Sequence, residues 1–381
     1  MSNAIRPHPF AILDADLDDL RQRLARTRWP DKETVDDWSQ GVPLARLRAL
    51  VDYWRERHDW RATEARLNAL EPSSTTIDGL DIHFLHIRSP EPDALPLVIT
   101  HGWSGSVVEN VKAAKLLADP RAHGHDPRDA FHVVLPSMPG FGLTGKPLEP
   151  GWTPERIAHA WVELMRRLGY EQFVAQGGDW GYSITNELGG IGLPAVKAVH
   201  FNMLPVVEGM EARDAQEEEG LRRVRDFKDN QSGYQLMQIQ TPQTIAYALT
   251  DSPVGQAAWL LDLYWRWMDH DGDPTNAVSM DDILDTVDWY WLTGTAGSSA
   301  RIYWESMRTF KEREIAVPVA FSQFPRDLHM ASRRWVQERY PTLMYYNEVE
   351  KGGHYPAMEQ PGMFADELRK GFRSVRRIRG D

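Results

Sequence analysis

Short apolar segments alternate with helical segments through the first half of the chain, and no other feature limits the possible folds as strongly. Segments 95–100, 131–136, 173–176 and 196–201 are apolar enough to be buried strands. Thr153 stands at the N-cap of the helix that precedes the third of them, with Pro154 at the first helical position. Alternation of this kind gives a mostly parallel sheet covered by helices on both faces. Two short strands, 75–80 and 81–88, surround Asp78-Gly79. Two more, 317–321 and 343–349, come late and precede a last helix over about 364–375. The expectation is an α/β fold built on an eight-stranded sheet.

Two stretches break the alternation. Residues 1–70 read as helical: Leu17, Leu20 and Leu24 keep a helical period that stops before Pro30, and Leu44, Leu47, Val51 and Trp54 keep it after Pro43. Both helices carry apolar faces that need a partner, so 1–70 is expected to wrap around a larger body. Residues 206–304 are helical and aromatic, with Leu260, Leu263, Tyr264 and Trp267 on one face. The predicted division is therefore an N-terminal wrap (1–70), the first part of a core (71–205), an inserted helical lid (206–304) and the rest of the core (305–381). A chain of 381 residues is long enough for a core with such additions.

Ligands of open α/β sheets bind at the carboxyl ends of the strands, so the loops there are the places to look for chemistry. Gly177-Gly178-Asp179-Trp180-Gly181 has small residues two before and two after Asp179, the layout of a tight strand-to-helix turn that presents a nucleophile. The plainer reading is a loop aspartate that caps the next helix. Lys351-Gly352-Gly353-His354 follows the last strand, and Phe324-Pro325-Arg326-Asp327 follows the one before it. Nucleophile, acid, histidine is the chain order of α/β-hydrolase triads. In that order Asp327 would orient His354; Glu348 and Glu350 are nearer in sequence but belong to the strand end. His101-Gly102-Trp103-Ser104-Gly105 follows the strand 95–100, where such folds supply one oxyanion-hole amide. The residue after the nucleophile supplies the other, which assigns the N–H groups of Trp103 and Trp180. His101 itself reads as structural.

At this point the chain resembles the epoxide hydrolases of the α/β-hydrolase fold, in their microsomal and juvenile-hormone branch. The resemblance runs through 9–31 with Arg28-Trp29-Pro30, His101-Gly102-Trp103, Met138-Pro139-Gly140-Phe141-Gly142, the Asp179 turn, Asp327 and Gly352-Gly353-His354. It continues in the insert, through Gly233-Tyr234, Ile239-Gln240-Thr241-Pro242, Asp251-Ser252-Pro253-Val254-Gly255 and Ser298-Ser299-Ala300-Arg301-Ile302-Tyr303. It implies that Tyr234 and Tyr303 are lid tyrosines holding the epoxide oxygen; taken alone, both read more readily as ordinary lid packing. Two departures stand out: Ser104 replaces the usual proline, and the lipid-anchoring helix of microsomal members has no counterpart.

An aspartate nucleophile suits an epoxide, because attack by a carboxylate gives an ester that water can cleave, whereas a serine would give an inert ether. The expected enzyme needs neither cofactor nor metal, and no His-Glu-x-x-His spacing occurs. A haloalkane or haloacid dehalogenase of the same fold is the nearest alternative; the tyrosine pair argues for the epoxide, since halide departure calls for N–H donors. A non-catalytic binding protein would be expected to have lost one of Asp179, Asp327 or His354. A serine esterase lacks support because Gly-x-Ser-x-Gly is absent.

Composition narrows the rest. No cysteine is present, which excludes thiol chemistry. A formal charge of −12 argues against a nucleic-acid binder. No apolar run reaches a membrane-spanning length, and Asp14, Asp16, Asp18 and Asp19 sit where a signal peptide would be apolar. The expected setting is cytoplasmic, away from membranes; a homo-oligomer is compatible with the sequence. The partner is a small epoxide, apolar or aromatic if the six tryptophans of the insert (Trp259, Trp265, Trp267, Trp289, Trp291 and Trp304) line its pocket instead of packing the lid.

Overall fold

The computed structural model describes residues 4–207 and 209–376. The outermost residues of the expected wrap and core, 1–3 and 377–381, and Glu208 of the expected lid lie outside the described residues.

The expected sheet is present, with one addition. Strands β1 (Arg6–Pro7), β2 (Ser73–Ile77), β3 (Leu80–Ile87), β4 (Leu95–Thr100), β5 (Phe131–Pro136), β6 (Phe173–Gly177), β7 (Val196–Phe201), β8 (Val319–Gln323) and β9 (Leu343–Glu348) pair in the order β1-β2-β3-β5-β4-β6-β7-β8-β9. The ninth strand is the two-residue β1, which the N-terminal segment adds at the edge. Pairing is antiparallel from β1 to β5 and parallel from β5 through β9. Every residue of β4, β6 and β8 is buried, which is why those segments are apolar without alternation. β8 starts two residues later than expected because Pro318 has no N–H to give the ladder.

Helices cover the sheet, α4 (Val107–Ala118) after β4, α5 (Pro154–Arg167) after β5 and α6 (Trp180–Gly190) after β6. Strand order reverses at β4, since β5 lies on one side of it and β6 on the other. Right-handed crossovers then put α4 on one face and α5 and α6 on the opposite one. The carboxyl ends of β4 and β6 meet at this reversal, the place where such sheets bind ligands. Thr153 is extended at the N-cap of α5, but its side chain makes no capping bond; Pro154 alone marks the start. The expected last helix is split into Pro361–Gly371, opened by Pro361, and a short Arg373–Arg376; at the break Gly371 presses against Ala320 of β8.

The first three helices, α1 (Asp14–Ala25), α2 (Leu44–Glu56) and α3 (Trp60–Asn68), bury their apolar stripes against the insert. The insert carries α7 (Ala215–Asp226), α8 (Gly233–Gln240), α9 (Pro242–Asp251), α10 (Pro253–Trp267), α11 (Met280–Leu292) and α12 (Ala296–Ser306). α1 and α2 lie on α10, and α2 and α3 on α11. The seam between wrap and insert is polar at its centre: Trp54 Nε1 donates to Asp288 at 3.1 Å, and His58 lies 2.8 Å from Asp281 and 3.1 Å from Asp288. Among the described residues no helix is long and apolar enough to cross a membrane.

Candidate active site

The loop after β6 turns sharply into α6, and three glycines make the turn possible. A β-carbon on Gly177 would lie 2.0 Å from the Gly181 carbonyl oxygen, and one on Gly181 would lie 2.0 Å from that of Thr100. Asp179 sits at the apex with φ 50° and ψ −128°, a conformation that costs a non-glycine residue of order 1–3 kcal/mol. Its side chain does not cap α6. Its carboxylate instead points across the sheet end, where Oδ1 accepts the Trp103 N–H at 2.8 Å and Oδ2 lies 3.4 Å from His354 Nε2. Gly102 leaves the space for it, since a β-carbon there would be 2.5 Å from that of Asp179.

His354 Nδ1 is 2.8 Å from Asp327 Oδ1, and both side chains are almost completely buried. Burial works against a charged imidazole, but Asp327 and Asp179 on its two sides outweigh burial and lift the His354 pKa to about 10. The resting state is therefore an imidazolium bridging two carboxylates. Neither Glu348 nor Glu350 takes this place. Gly353 lets the histidine loop touch the insert: its β-carbon would lie 2.3 Å from the Trp267 carbonyl, and that carbonyl accepts the His354 N–H at 2.8 Å.

The amide of Trp103 is thus on Asp179, while Trp180 begins α6 immediately after it. The Trp103–Ser104 peptide is cis, and Ser104 Oγ shares a 2.8 Å hydrogen bond with the Tyr355 hydroxyl. His101 is structural, as its sequence context suggests. Its Nδ1 lies 2.8 Å from the Gly102 carbonyl, its Nε2 accepts from Met138 N, and burial lowers its pKa to about 4.

An aromatic cluster adjoins the carboxylate. Tyr234 stacks on Trp103 with 5.3 Å between ring centres; Tyr303 meets Trp180 edge-on at 4.9 Å and Tyr234 at 6.0 Å. Burial and the Asp179 charge raise the Tyr234 pKa, and burial with the charges of Tyr234 and Asp179 raises that of Tyr303, so both phenols stay protonated at neutral pH. Of the six insert tryptophans, Trp267 reaches the site, 5.2 Å from the His354 ring. Trp265 stacks on Trp38 and Trp289 packs on Phe10, both in the wrap, while Trp304 is half exposed. Two of the six therefore join the insert to the N-terminal segment.

Sequence reading missed the residues that hold the loops in place. Glu359 accepts N–H bonds from Gly353 (2.9 Å), Tyr355 (2.9 Å) and Asp269 (2.7 Å), tying the histidine loop to the insert. Arg223 of α7 donates to the carbonyls of Pro325 and Asp327, both at 2.9 Å. A glutamate five residues beyond a histidine and an arginine a hundred residues upstream carry no local signal. Among the described residues no group of three or more His, Asp or Glu side chains is arranged to hold a metal ion.

Residues 5–110 match the family described as epoxide hydrolase N terminus, and residues 96–188 match the alpha/beta hydrolase fold. A Stigmatella aurantiaca protein named "Putative epoxide hydrolase" is 50% identical over 98% of this chain and 86% of its own length. Epoxide hydrolase 1 of Sus scrofa is 32% identical, with 96% and 88% covered. The solved epoxide hydrolase of Aspergillus niger superposes with a TM-score of 0.88 at 31% identity, covering 98% of this chain and 97% of that one. The juvenile hormone epoxide hydrolase of Bombyx mori gives 0.85 at 26% identity, covering 100% and 96%.

Proposed function

The chain belongs to the epoxide hydrolase family of the α/β-hydrolase fold and is an epoxide hydrolase acting on small-molecule epoxides; we propose that Asp179 opens the ring as nucleophile. The observation that carries this reading is the convergence of the Trp103 N–H and His354 on the two oxygens of one carboxylate at the apex of a strained turn.

One Asp179 oxygen attacks an epoxide carbon, the carbon–oxygen bond of the ring breaks, and the departing oxygen takes a proton from Tyr234 or Tyr303. The product is an ester of Asp179. Esterification removes one of the two negative charges that hold the proton on His354. The imidazolium can then return a proton to the tyrosine pair and become a neutral base, with Asp327 still fixing its orientation. His354 next takes a proton from water, the water oxygen adds to the ester carbonyl, and the oxyanion is held by the amides of Trp103 and Trp180. Collapse releases the diol and restores Asp179. The lid, about 206–304, closes the site, and the cluster of Trp103, Trp180, Trp267, Tyr234 and Tyr303 suits an apolar or aromatic epoxide.

The test is isotopic. Repeated turnover in ¹⁸O-water should place label in the Asp179 carboxylate and then in the diol. A single turnover that puts label straight into the diol would show direct attack by water and end the ester route. A panel of epoxides run beside haloalkanes should give turnover with the epoxides and set the size of the pocket.

A further inference from the structure

A cavity of about 40 Å³ lies on the core side of Asp179, walled by His354, Glu109, Asn110, Gln176 and Asn202 among others. A water needs roughly 10–15 Å³ of such space, so two or three fit. Part of its wall is polar, as a water site requires. Asn110, Gln176, Asn202 and His354 are all buried, and Gln176 Nε2 donates to Asn202 Oδ1 at 2.8 Å, which fixes one wall.

Of the two carboxyls on this cavity, Asp179 and Glu109, the reaction has not used Glu109. The loop after β4 keeps room for two carboxyls: Gly102 clears the space of Asp179, and Gly105 clears that of Glu109, whose Oε2 would lie 2.1 Å from a β-carbon there. The hydrogen bonds of Glu109 are long, 3.4 Å from Ser106 N and 3.5 Å from Asn110 Nδ2, so acceptor capacity remains. Burial pushes its carboxyl up to about 8, against the Ser106 amide and the His354 charge, which pull it down. A capping residue alone has no need to be enclosed with the nucleophile and the base.

We propose that this cavity holds the water of the hydrolysis step, and that Glu109 accepts the second hydrogen of the water whose first hydrogen goes to His354. The assignment rests on the ester route above. The water proton passes to His354 Nε2, the water oxygen bonds to the Asp179 carbonyl carbon, and the ester C–O bond breaks as the diol oxygen takes the proton back from His354; the second water hydrogen, left on the Asp179 carboxyl, then passes to His354 and restores the carboxylate. Glu109 gains and loses no proton; it aims the oxygen.

The two half-reactions separate the possibilities. Acid-quenched single turnovers, with mass measurement of the Asp179 peptide, follow ester formation and decay. Glu109→Gln should slow decay at least five-fold and Glu109→Met at least twenty-fold, with ester formation within two-fold of the parent. Steady-state kcat and KM should then fall together, leaving kcat/KM nearly unchanged. Ser106→Ala, which removes the helix cap and lies off the cavity, should leave both steps within two-fold. Decay within two-fold in either folded Glu109 variant, or equal slowing of both steps, overturns the assignment; the near-isosteric Gln variant keeps it testable if Met does not fold. Ser106→Ala reproducing the decay defect would reduce Glu109 to a cap. Absence of an adduct on Asp179 in every protein, parent included, would bring down the ester route and this assignment with it.

Discussion

Two histidines in this molecule are held between carboxylates in nearly the same way. His354 has Asp327 at 2.8 Å and Asp179 at 3.4 Å; His58 has Asp281 at 2.8 Å and Asp288 at 3.1 Å. Burial opposes the charged form of each, and the carboxylates win, lifting His354 to about 10 and His58 to about 9. The surroundings differ. Around His354 one carboxylate sits on a positive-φ apex between glycines, at the sheet's reversal point and beside a cavity. Around His58 the carboxylates Asp281, Asp285 and Asp288 come from one face of α11 and are closed off by Tyr53, Trp54, Thr63 and Arg66. A shifted pKa marks a charge network in both places; a strained backbone and a cavity accompany it in one.

This contrast can be broken at several points, taken from the largest effect down. Asp179→Ala should lower kcat by roughly 10⁴-fold or more with the fold intact by circular dichroism; retained turnover would remove Asp179 as nucleophile. Tyr234→Phe and Tyr303→Phe should each slow ring opening by roughly 10²-fold, and the double variant should be nearly inactive. Unchanged single-turnover opening in the double variant would return both tyrosines to lid packing. His58→Gln should do the reverse of these. It leaves Asp288 buried without its cation, while Asp285 keeps Arg66, so urea unfolding should show a loss of about 3 kcal/mol with kcat/KM little changed. The pH sign is definite. The folded pKa of His58 lies above its unfolded value of 6.5, so its stabilisation is complete below about 6.5 and is lost as pH rises through 9. His354 acts in the same direction near 10, so the signal is the difference between parent and His58→Gln, and a constant difference from pH 6 to 9.5 would refute the charged seam. Smallest of all, Arg46→Ala removes an exposed seam pair with Asp273 and should cost below about 1 kcal/mol by the same unfolding assay.

The sequence made the sheet legible because buried parallel strands must be apolar throughout, and because prolines and glycines mark the turns. Asp179 was legible for a related reason: the turn that strains it demands small neighbours at fixed spacing. Its competing reading, a helix cap, was settled by coordinates alone, since spacing does not say where a carboxylate points. The seam could not be read. His58 and Asp281, Asp285 and Asp288 are more than two hundred residues apart, and each looks like an ordinary polar residue on a helix. The role of the insert tryptophans stayed open for the same reason, because bulk alone does not distinguish a pocket wall from an interhelical wedge. Glu109 was not legible: with Ser106 it has the spacing of a helix-capping box, and spacing does not show the cavity behind it.

The join between the insert and the histidine loop has a practical consequence. The Trp267 carbonyl seats the His354 N–H, and Glu359 clamps Asp269 together with Gly353 and Tyr355. The insert is consequently not an interchangeable cassette. Grafting a foreign lid to change substrate scope would unseat the base unless residues 267–269 and 352–359 were transplanted as a matched set. Any displacement of α10 from the core would also take the Trp267 carbonyl away from the His354 N–H.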